Sequence, residues 1–318
     1  MDTRGWNADD IPSLEGKIAI VTGSNQGIGL ASATALASKG AHVILACVLS
    51  HRGKEAEKAI REKTGNDKVE FMKIDLACVA TVRTFANNIR KKFDRIDILI
   101  NNAAVLHPVD PVTKDGFESH FGVNYLGHFY LTSLLFDMLK RSDEARVVNM
   151  SSMIHRIANP DFDNIGIVPE TQGWEIMPEY SASKFSCLMF SLELHRRVEA
   201  AGIKNVKVVA AHPGVTLTQM ASTSIYLHML PQVVQTWMHK FMGLTPIFQP
   251  PEMGALPSLF AATAKEVQSG EFYGPDGWNA CWGHPALEEP SKESRSKKNA
   301  KKLWARSEEL LKCPFTVK

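Results

Sequence analysis

Lys17-Ile-Ala-Ile-Val-Thr22 runs directly into Gly23-Ser-Asn-Gln-Gly27-Ile-Gly29, and an apolar-periodic segment from Leu30 to Ser38 follows, ending at Gly40. The first six residues form a short, apolar, β-branched run, the pattern of a buried strand. The last segment reads as a helix with a glycine stop. Between them lie three glycines spaced G-x-x-x-G-x-G. Glycine permits unusual backbone angles and close approach of the chain to a ligand, and a helix N-terminus offers free N–H groups and positive dipole. Strand, glycine turn and helix in this order are the setting that a dinucleotide pyrophosphate needs. The spacing is not the more familiar G-x-G-x-x-G, and three glycines alone equally suit a plain turn. The flanking strand and helix favour the cofactor, with Gly23, Ser24, Asn25, Gln26, Gly27, Ile28 and Gly29 as candidate contacts.

The same alternation continues. Strands are expected at Ala41–Cys47, Val69–Ile74, Ile96–Ile100, Arg146–Met150 and Val206–Ala211, with an edge strand at Gly270–Gly274. Helices are expected over 52–63, Val79–Phe93, Asp115–Lys140, from Tyr180 to about Ala201, and Gly254–Thr263. This pattern predicts an α/β fold, a single doubly wound parallel sheet of Rossmann type flanked by helices. Residues 1–16 read as an N-terminal arm, 17–285 as the catalytic domain and 286–318 as a tail. The basic stretch Lys292–Arg306, mixed with acids on a helical pattern, reads as a solvated helix rather than a nucleic-acid site.

Ligands of such sheets bind beyond the C-terminal ends of the strands, and the polar features gather there. At the end of the second strand an acid would bond the ribose of NAD and a base would take the 2′-phosphate of NADP. Cys47 and Val48 are neither, but Arg52 follows with no acid before Glu55, which favours NADP(H), with NAD(H) as the alternative. Arg52 is equally readable as the solvated start of the next helix. Asp75, before Leu76, suits either an adenine amino group or a helix cap. Asn102 and Ala103 follow the fourth strand, where small residues let a cofactor lie close. Asn124 lies inside a helical pattern where asparagine is locally unfavourable, so it needs a tertiary reason. Ser152 ends the fifth strand. Pro213, Gly214, Val215 and Thr218 follow the sixth.

Tyr180-Ser-Ala-Ser-Lys184 places a phenol and an ammonium one helical turn apart on the same face. A free tyrosine titrates near pH ~10, and a neighbouring cation favours its ionised form, which suits acid–base work. Residues 219–250 are rich in Met, Leu and aromatics. They read as a lid over an apolar pocket (about 217–250), a membrane-surface helix, core or a subunit interface.

Composition sets the frame. The chain has 318 residues, 44% hydrophobic and 22% charged, with a formal charge of +2. That size suits one large α/β domain, and the near-neutral charge gives no general pull toward nucleic acid. The cysteines at 47, 78, 187, 281 and 313 show no metal-ligand spacing, which fits a reducing, cytoplasmic setting. No stretch reaches the ~18 apolar residues of a membrane helix.

Thr22-Gly-Ser-Asn-Gln-Gly-Ile-Gly29, Asn101-Asn-Ala-Ala104, Asn124, Ser152, Tyr180-x-x-x-Lys184 and His212-Pro-Gly214, in this order, resemble the short-chain dehydrogenase/reductase family over roughly residues 15–285. Val123-Asn-Tyr-Leu-Gly-His-Phe129 and Gly274-Pro-Asp-Gly277 are similar to the retinol dehydrogenase, WW-domain oxidoreductase and protochlorophyllide reductase-like branch. The chain has Ala104 where the family has glycine, and Val48 where the branch commonly has arginine. The resemblance implies hydride transfer between a nicotinamide and a hydrophobic alcohol, aldehyde or ketone. It implies Tyr180 as the acid–base, Lys184 lowering the tyrosine pKa and bonding the nicotinamide ribose, Ser152 polarising the substrate oxygen, and Asn124 holding a relay water. Val215 and Thr218 would fix the carboxamide, and the chain would be a monomer or a homodimer. The alternatives are a catalytically silent NAD(P)-binding sensor or scaffold on the same fold, a light-dependent tetrapyrrole reductase, and a peripheral-membrane lipid enzyme.

Overall fold

The apolar runs are strands buried on both faces. In the computed structural model, which describes residues 5–168, 176–216 and 249–318, the strands are β1 (Ile18–Thr22), β2 (His42–Cys47), β3 (Val69–Lys73), β4 (Ile98–Asn101), β5 (Ala145–Met150), β6 (Val206–Ala211), β7 (Phe272–Pro275) and β8 (Pro285–Leu287). They form one sheet in the order β3-β2-β1-β4-β5-β6-β7-β8. All pairs are parallel except β7–β8. The chain reverses direction across the sheet between β1 and β4, so the end of β1 faces the crevice where such sheets bind ligands.

Helices α1 (Gly27–Ser38), α2 (Ser50–Thr64) and α6 (Pro251–Thr263) cover one face. Helices α3 (Val79–Lys92), α4 (Gly127–Lys140), α5 (Ile176–Ala200) and α7 (Lys297–Leu311) cover the other. The arm lies on the first face: Ile11 and Leu14 are buried, and Trp6 meets Phe260 edge-on at 5.1 Å.

Three expectations are corrected. The helix expected from Asp115 starts at Ser119, because Val112 and Glu118 pair as a short bridge before it. Its first part, Phe121–Leu126, is a π-helical turn. The strand near 270–274 is interior, since β7 pairs with β6 on one side and with the unexpected β8 on the other. The tail helix is not solvated all round. Ala300, Leu303, Trp304, Ser307 and Leu311 of α7 are buried against α4 and α5. Trp304 stacks on Phe315 at 4.9 Å, meets Phe129 at 5.0 Å and carries the Arg197 guanidinium 3.9 Å above its ring. Phe315 in turn meets Phe129 and Phe136, each at 5.5 Å.

An aromatic cluster of this kind rests on its largest member. Trp304→Ala is expected to destabilise the fold by about 3–5 kcal/mol, read as a shift of the urea midpoint with unchanged slope.

Candidate active site

The ends of β1, β2, β4, β5 and β6 surround a cavity of ≈ 480 Å³. Its floor is the glycine turn. Gly23 and Gly27 adopt left-handed backbone angles, φ 66° and 55°. A Cβ at Gly29 would lie 2.4 Å from the Gly23 carbonyl and 2.5 Å from Asn102 Nδ2, so only glycine fits. The Gln26 side chain makes no capping hydrogen bond to α1, which leaves the first N–H groups of this helix open to an anion. The cradle of backbone, the open helix N-terminus and the groove beyond it fit a dinucleotide.

The candidate cofactor residues Gly23, Asn25, Gln26, Gly27, Ile28, Gly29, Cys47, Leu76, Asn102, Ala103, Tyr180, Lys184, Pro213, Gly214 and Val215 all line this cavity. Ser24 does not; it is buried and its hydroxyl donates to the Val21 carbonyl at 2.8 Å. Asp75 does not either. Its carboxylate accepts the Ala77 N–H at 3.0 Å and pairs with Lys114 at 2.9 Å, while the residue capping α3 is Cys78. Arg52 stands outside the lining, on the first turn of α2, and its guanidinium donates to Gln26 Oε1 at 3.3 Å. Thr218 and the 217–248 part of the expected lid lie outside the described residues. Ile74, Leu106, Val123, Met153, Ile154 and Thr216 also line the cavity. They were not foreseen, because apolar residues just past a strand carry no signal that separates wall from core.

β5 delivers Ser151 and Ser152, and α5 brings Tyr180 and Lys184 alongside. The Tyr180 phenol and the Ser152 side chain both line the cavity. Lys184 Nζ donates to the Met150 carbonyl at 3.0 Å and lies 6.0 Å from the Tyr180 ring centroid. The Ser151 hydroxyl donates to the Lys184 carbonyl at 2.8 Å, which fixes α5 to the strand end. Enclosure pushes the phenol pKa up to about 12, opposed by the nearby Ser152 hydroxyl, and burial pushes the Lys184 pKa down. Burial is thus the dominant influence on Tyr180 in this arrangement.

Asn124 sits in the π-turn, a distortion often found at functional sites. It accepts the Val105 N–H at 2.7 Å and donates to the Val105 carbonyl and Ser183 Oγ, both at 3.0 Å. The tertiary reason for this asparagine is thus a brace joining the loop after β4 to α5. A second basic group near the phenol was not legible in the sequence. The His120 ring meets Tyr180 edge-on at 6.1 Å. Its Nδ1 faces Glu118 Oε1 at 2.8 Å and its Nε2 faces the Leu106 carbonyl at 2.9 Å. Both partners are acceptors, so both nitrogens are best served carrying protons. Burial alone would lower the His120 pKa, but these bonds and the Glu118 charge raise it.

Residues 17–225 match the short chain dehydrogenase family. The chain belongs to the short-chain dehydrogenase family. It is 37% identical over 309 residues to retinol dehydrogenase 13 of Mus musculus, covering 94% of this chain and 85% of that one. It is 36% identical over 261 residues to polyprenol dehydrogenase of Homo sapiens, covering 81% and 76%. An uncharacterised protein of Mycobacterium paratuberculosis shares the fold with a TM-score of 0.77 and 31% identity, over 98% of this chain and 100% of that one. L-sorbose reductase of Gluconobacter frateurii, solved with NADPH and L-sorbose, superposes with a TM-score of 0.68 at 24% identity, over 85% and 98%. The protein is thus a nicotinamide-dependent oxidoreductase acting on CH–OH groups. Among the described residues no helix is long and apolar enough to cross a membrane.

His128, one turn beyond Asn124, ties the cavity floor together. Its Nδ1–H donates to the Asn124 carbonyl at 2.8 Å, which leaves Nε2 to accept the Thr22 hydroxyl at 2.8 Å. Thr22 Oγ1 in turn accepts the Asn102 and Ala103 N–H groups, each at 2.9 Å. Burial lowers the His128 pKa to about 4, with Lys184 adding repulsion. Below pH ~6.5 the unfolded chain then takes up a proton that the folded chain refuses. Stability is therefore full above pH ~6.5 and is lost as pH falls toward 4, by about 3 kcal/mol. Urea unfolding at pH 7 and pH 4.5 is expected to show this loss in the wild type and a smaller one in His128→Gln.

Proposed function

We propose that the protein is an NADP(H)-dependent dehydrogenase/reductase of a hydrophobic alcohol–carbonyl pair, with Tyr180 as the acid–base. The observation that carries the proposal is that Tyr180, Ser152 and the buried Lys184 line one cavity together with the glycine cradle. When bound, the nicotinamide supplies the hydride chemistry. The chain's own groups handle the proton and the field. In the reducing direction the phenol donates its proton to the developing alkoxide. Its raised pKa keeps it protonated at neutral pH, ready for that role. Ser152 polarises the substrate oxygen, and Lys184 and His120 favour the phenolate left behind. Asn124 holds the loop that shapes the cavity wall.

Arg52 beside Gln26 supports NADP(H) over NAD(H), since a guanidinium at the edge of the glycine turn suits a 2′-phosphate. Leu106, Val123, Met153 and Ile154 in the wall support an apolar substrate, as do retinol and polyprenol in the names of relatives. α7 covers the outer face of α4 and α5, which supports a monomer. All five cysteines are free, which supports a reducing, cytoplasmic setting.

Tyr180→Phe is expected to lower kcat for aldehyde reduction by about 10²–10⁴-fold while NADPH still binds. Near-normal turnover would exclude Tyr180 as the acid–base. Fluorescence titration is expected to show tighter binding of NADPH than NADH, and Arg52→Ala is expected to remove most of that preference. A preference that Arg52→Ala leaves intact would place the 2′-phosphate elsewhere.

A further inference from the structure

We infer that Glu288, immediately after the antiparallel edge strand β8, is a positioning residue that fixes the two loops flanking the cavity relative to each other. It thereby sets both cofactor affinity and turnover. The inference rests on the function proposed above.

Glu288 is distant in sequence from every residue so far placed at the cavity. Its Oε2 accepts His212 Nε2–H at 2.6 Å, and its Oε1 accepts the Arg156 guanidinium at 2.9 Å. The two partners belong to different walls. His212 opens the turn after β6, whose Pro213, Gly214 and Val215 line the cavity. Arg156 lies four residues beyond Ser152, in the short 3₁₀ turn Met153–Ile157 that Ser152 caps. One carboxylate thus joins the cofactor turn to the segment that carries the serine.

The His212 arm has a defined polarity. His212 Nδ1 accepts the Gly214 N–H at 3.1 Å, so Nδ1 carries no proton and Nε2 must carry it. Glu288 is the acceptor that selects this tautomer, and the tautomer in turn holds the Gly214 amide. Gly214 has φ 62°, and a Cβ there would lie 2.3 Å from the Cys281 carbonyl, so the turn has no freedom to adjust by itself. On the other arm Arg156 also donates to Asn279 Oδ1 at 2.9 Å.

The contact explains a motif that the reaction does not use. The first glycine of Gly274-Pro-Asp-Gly277 lies on β7 between the two partners. A Cβ at Gly274 would sit 2.1 Å from His212 Nε2 and 2.7 Å from Glu288 Oε2, so a side chain there would break the pair. Burial would raise the Glu288 pKa, but His212 and Arg156 hold it down to about 2, so the carboxylate stays charged throughout the neutral range. An ion pair that merely attached an edge strand would need one partner and no particular tautomer.

The test compares wild type, Glu288→Ala, Glu288→Gln and Arg156→Ala for NADPH affinity by fluorescence, kcat with decanal, and melting temperature. A hydrogen bond to a charged group is worth about tenfold or more in a binding or rate constant. Glu288→Ala is expected to weaken NADPH binding by about tenfold and lower kcat by a similar factor. Arg156→Ala is expected to lower kcat while leaving NADPH affinity within about twofold, because only the serine arm is cut. Glu288→Gln still accepts from His212 and is expected to restore most of the NADPH affinity. A folded Glu288→Ala with both constants within about twofold of wild type would overturn the inference, as would a lowered melting temperature alone. If Glu288→Ala does not fold, an Arg156→Ala variant with unchanged kcat, or one whose NADPH affinity falls about tenfold, overturns it. The NADPH measurements decide by themselves if decanal turns over too slowly to follow. Wild type that binds no dinucleotide would instead overturn the proposed function, a result visible before any variant is made.

Discussion

The hydroxyl of Thr22 is the contact on which the cavity floor depends. A parallel sheet ends in a row of backbone groups that no neighbouring strand satisfies, and a cofactor floor must be made from that row. Thr22 Oγ1 accepts two N–H groups from the loop after β4 and passes its own proton to His128, which closes the chain on the Asn124 carbonyl. Asn102 adds a bond from Nδ2 to the Thr22 carbonyl at 2.8 Å. The end of β1, the loop after β4 and the π-turn before α4 are thus one polar unit. Buried polar groups are costly unless each has a partner, so these elements hold or fail together. The glycine turn can stay open to a ligand because its backbone is supported from below rather than by its own side chains.

Above this floor the electrostatics are set by burial. Tyr180 is raised by its enclosure, and Lys184 is lowered by the same cause. The two shifts oppose charge on both groups, so each is held nearer its neutral form than it would be in water. His120 differs because its charge is paired. The Glu118 carboxylate also accepts the N–H groups of His120 and Phe121, at 2.9 and 2.7 Å. These bonds hold the acid ionised despite its burial. When protonated, His120 places a compensated cation near the phenol that is not easily discharged. That arrangement suits a group that must both give and take a proton.

Much of this was legible in the sequence because it follows from short-range rules. The six strands expected up to residue 211 lie within a residue or two of their expected bounds, and the glycines at 23, 27 and 29 lie where the backbone must turn tightly. The tail helix was misread because Lys297, Lys298, Lys301 and Lys302 dominate its composition. Ala300, Leu303, Trp304, Ser307 and Leu311 nevertheless recur at helical spacing and mark a buried stripe. Asp75 illustrates a different limit. A carboxylate after a strand is compatible with ligand, cap or ion pair, and Lys114, which decides the matter here, is brought to it only by the tertiary fold. The same holds for His120, whose partners Glu118 and Leu106 become informative only once the loop after β4 folds back over the helix start.

The C-terminal third completes what the alternating strands and helices leave open. The parallel strands provide a floor, and the turn Pro213–Thr216 beside it is held by segments later in the chain. Gln249 pairs with Thr216 and donates from Nε2 to the Pro213 carbonyl at 2.7 Å. The same side chain accepts the Gly283 N–H at 3.1 Å, and Val215 N–H donates to the Cys281 carbonyl at 2.7 Å. The turn after β6 is therefore gripped from two directions, by the start of α6 and by the loop between β7 and β8. Thr216, which lines the cavity, is thus tied directly to Gln249. The floor belongs to the shared architecture of the sheet, whereas this wall is built from the segments in which chains of one fold can differ most. Substrate choice is accordingly expected to be written in the C-terminal third.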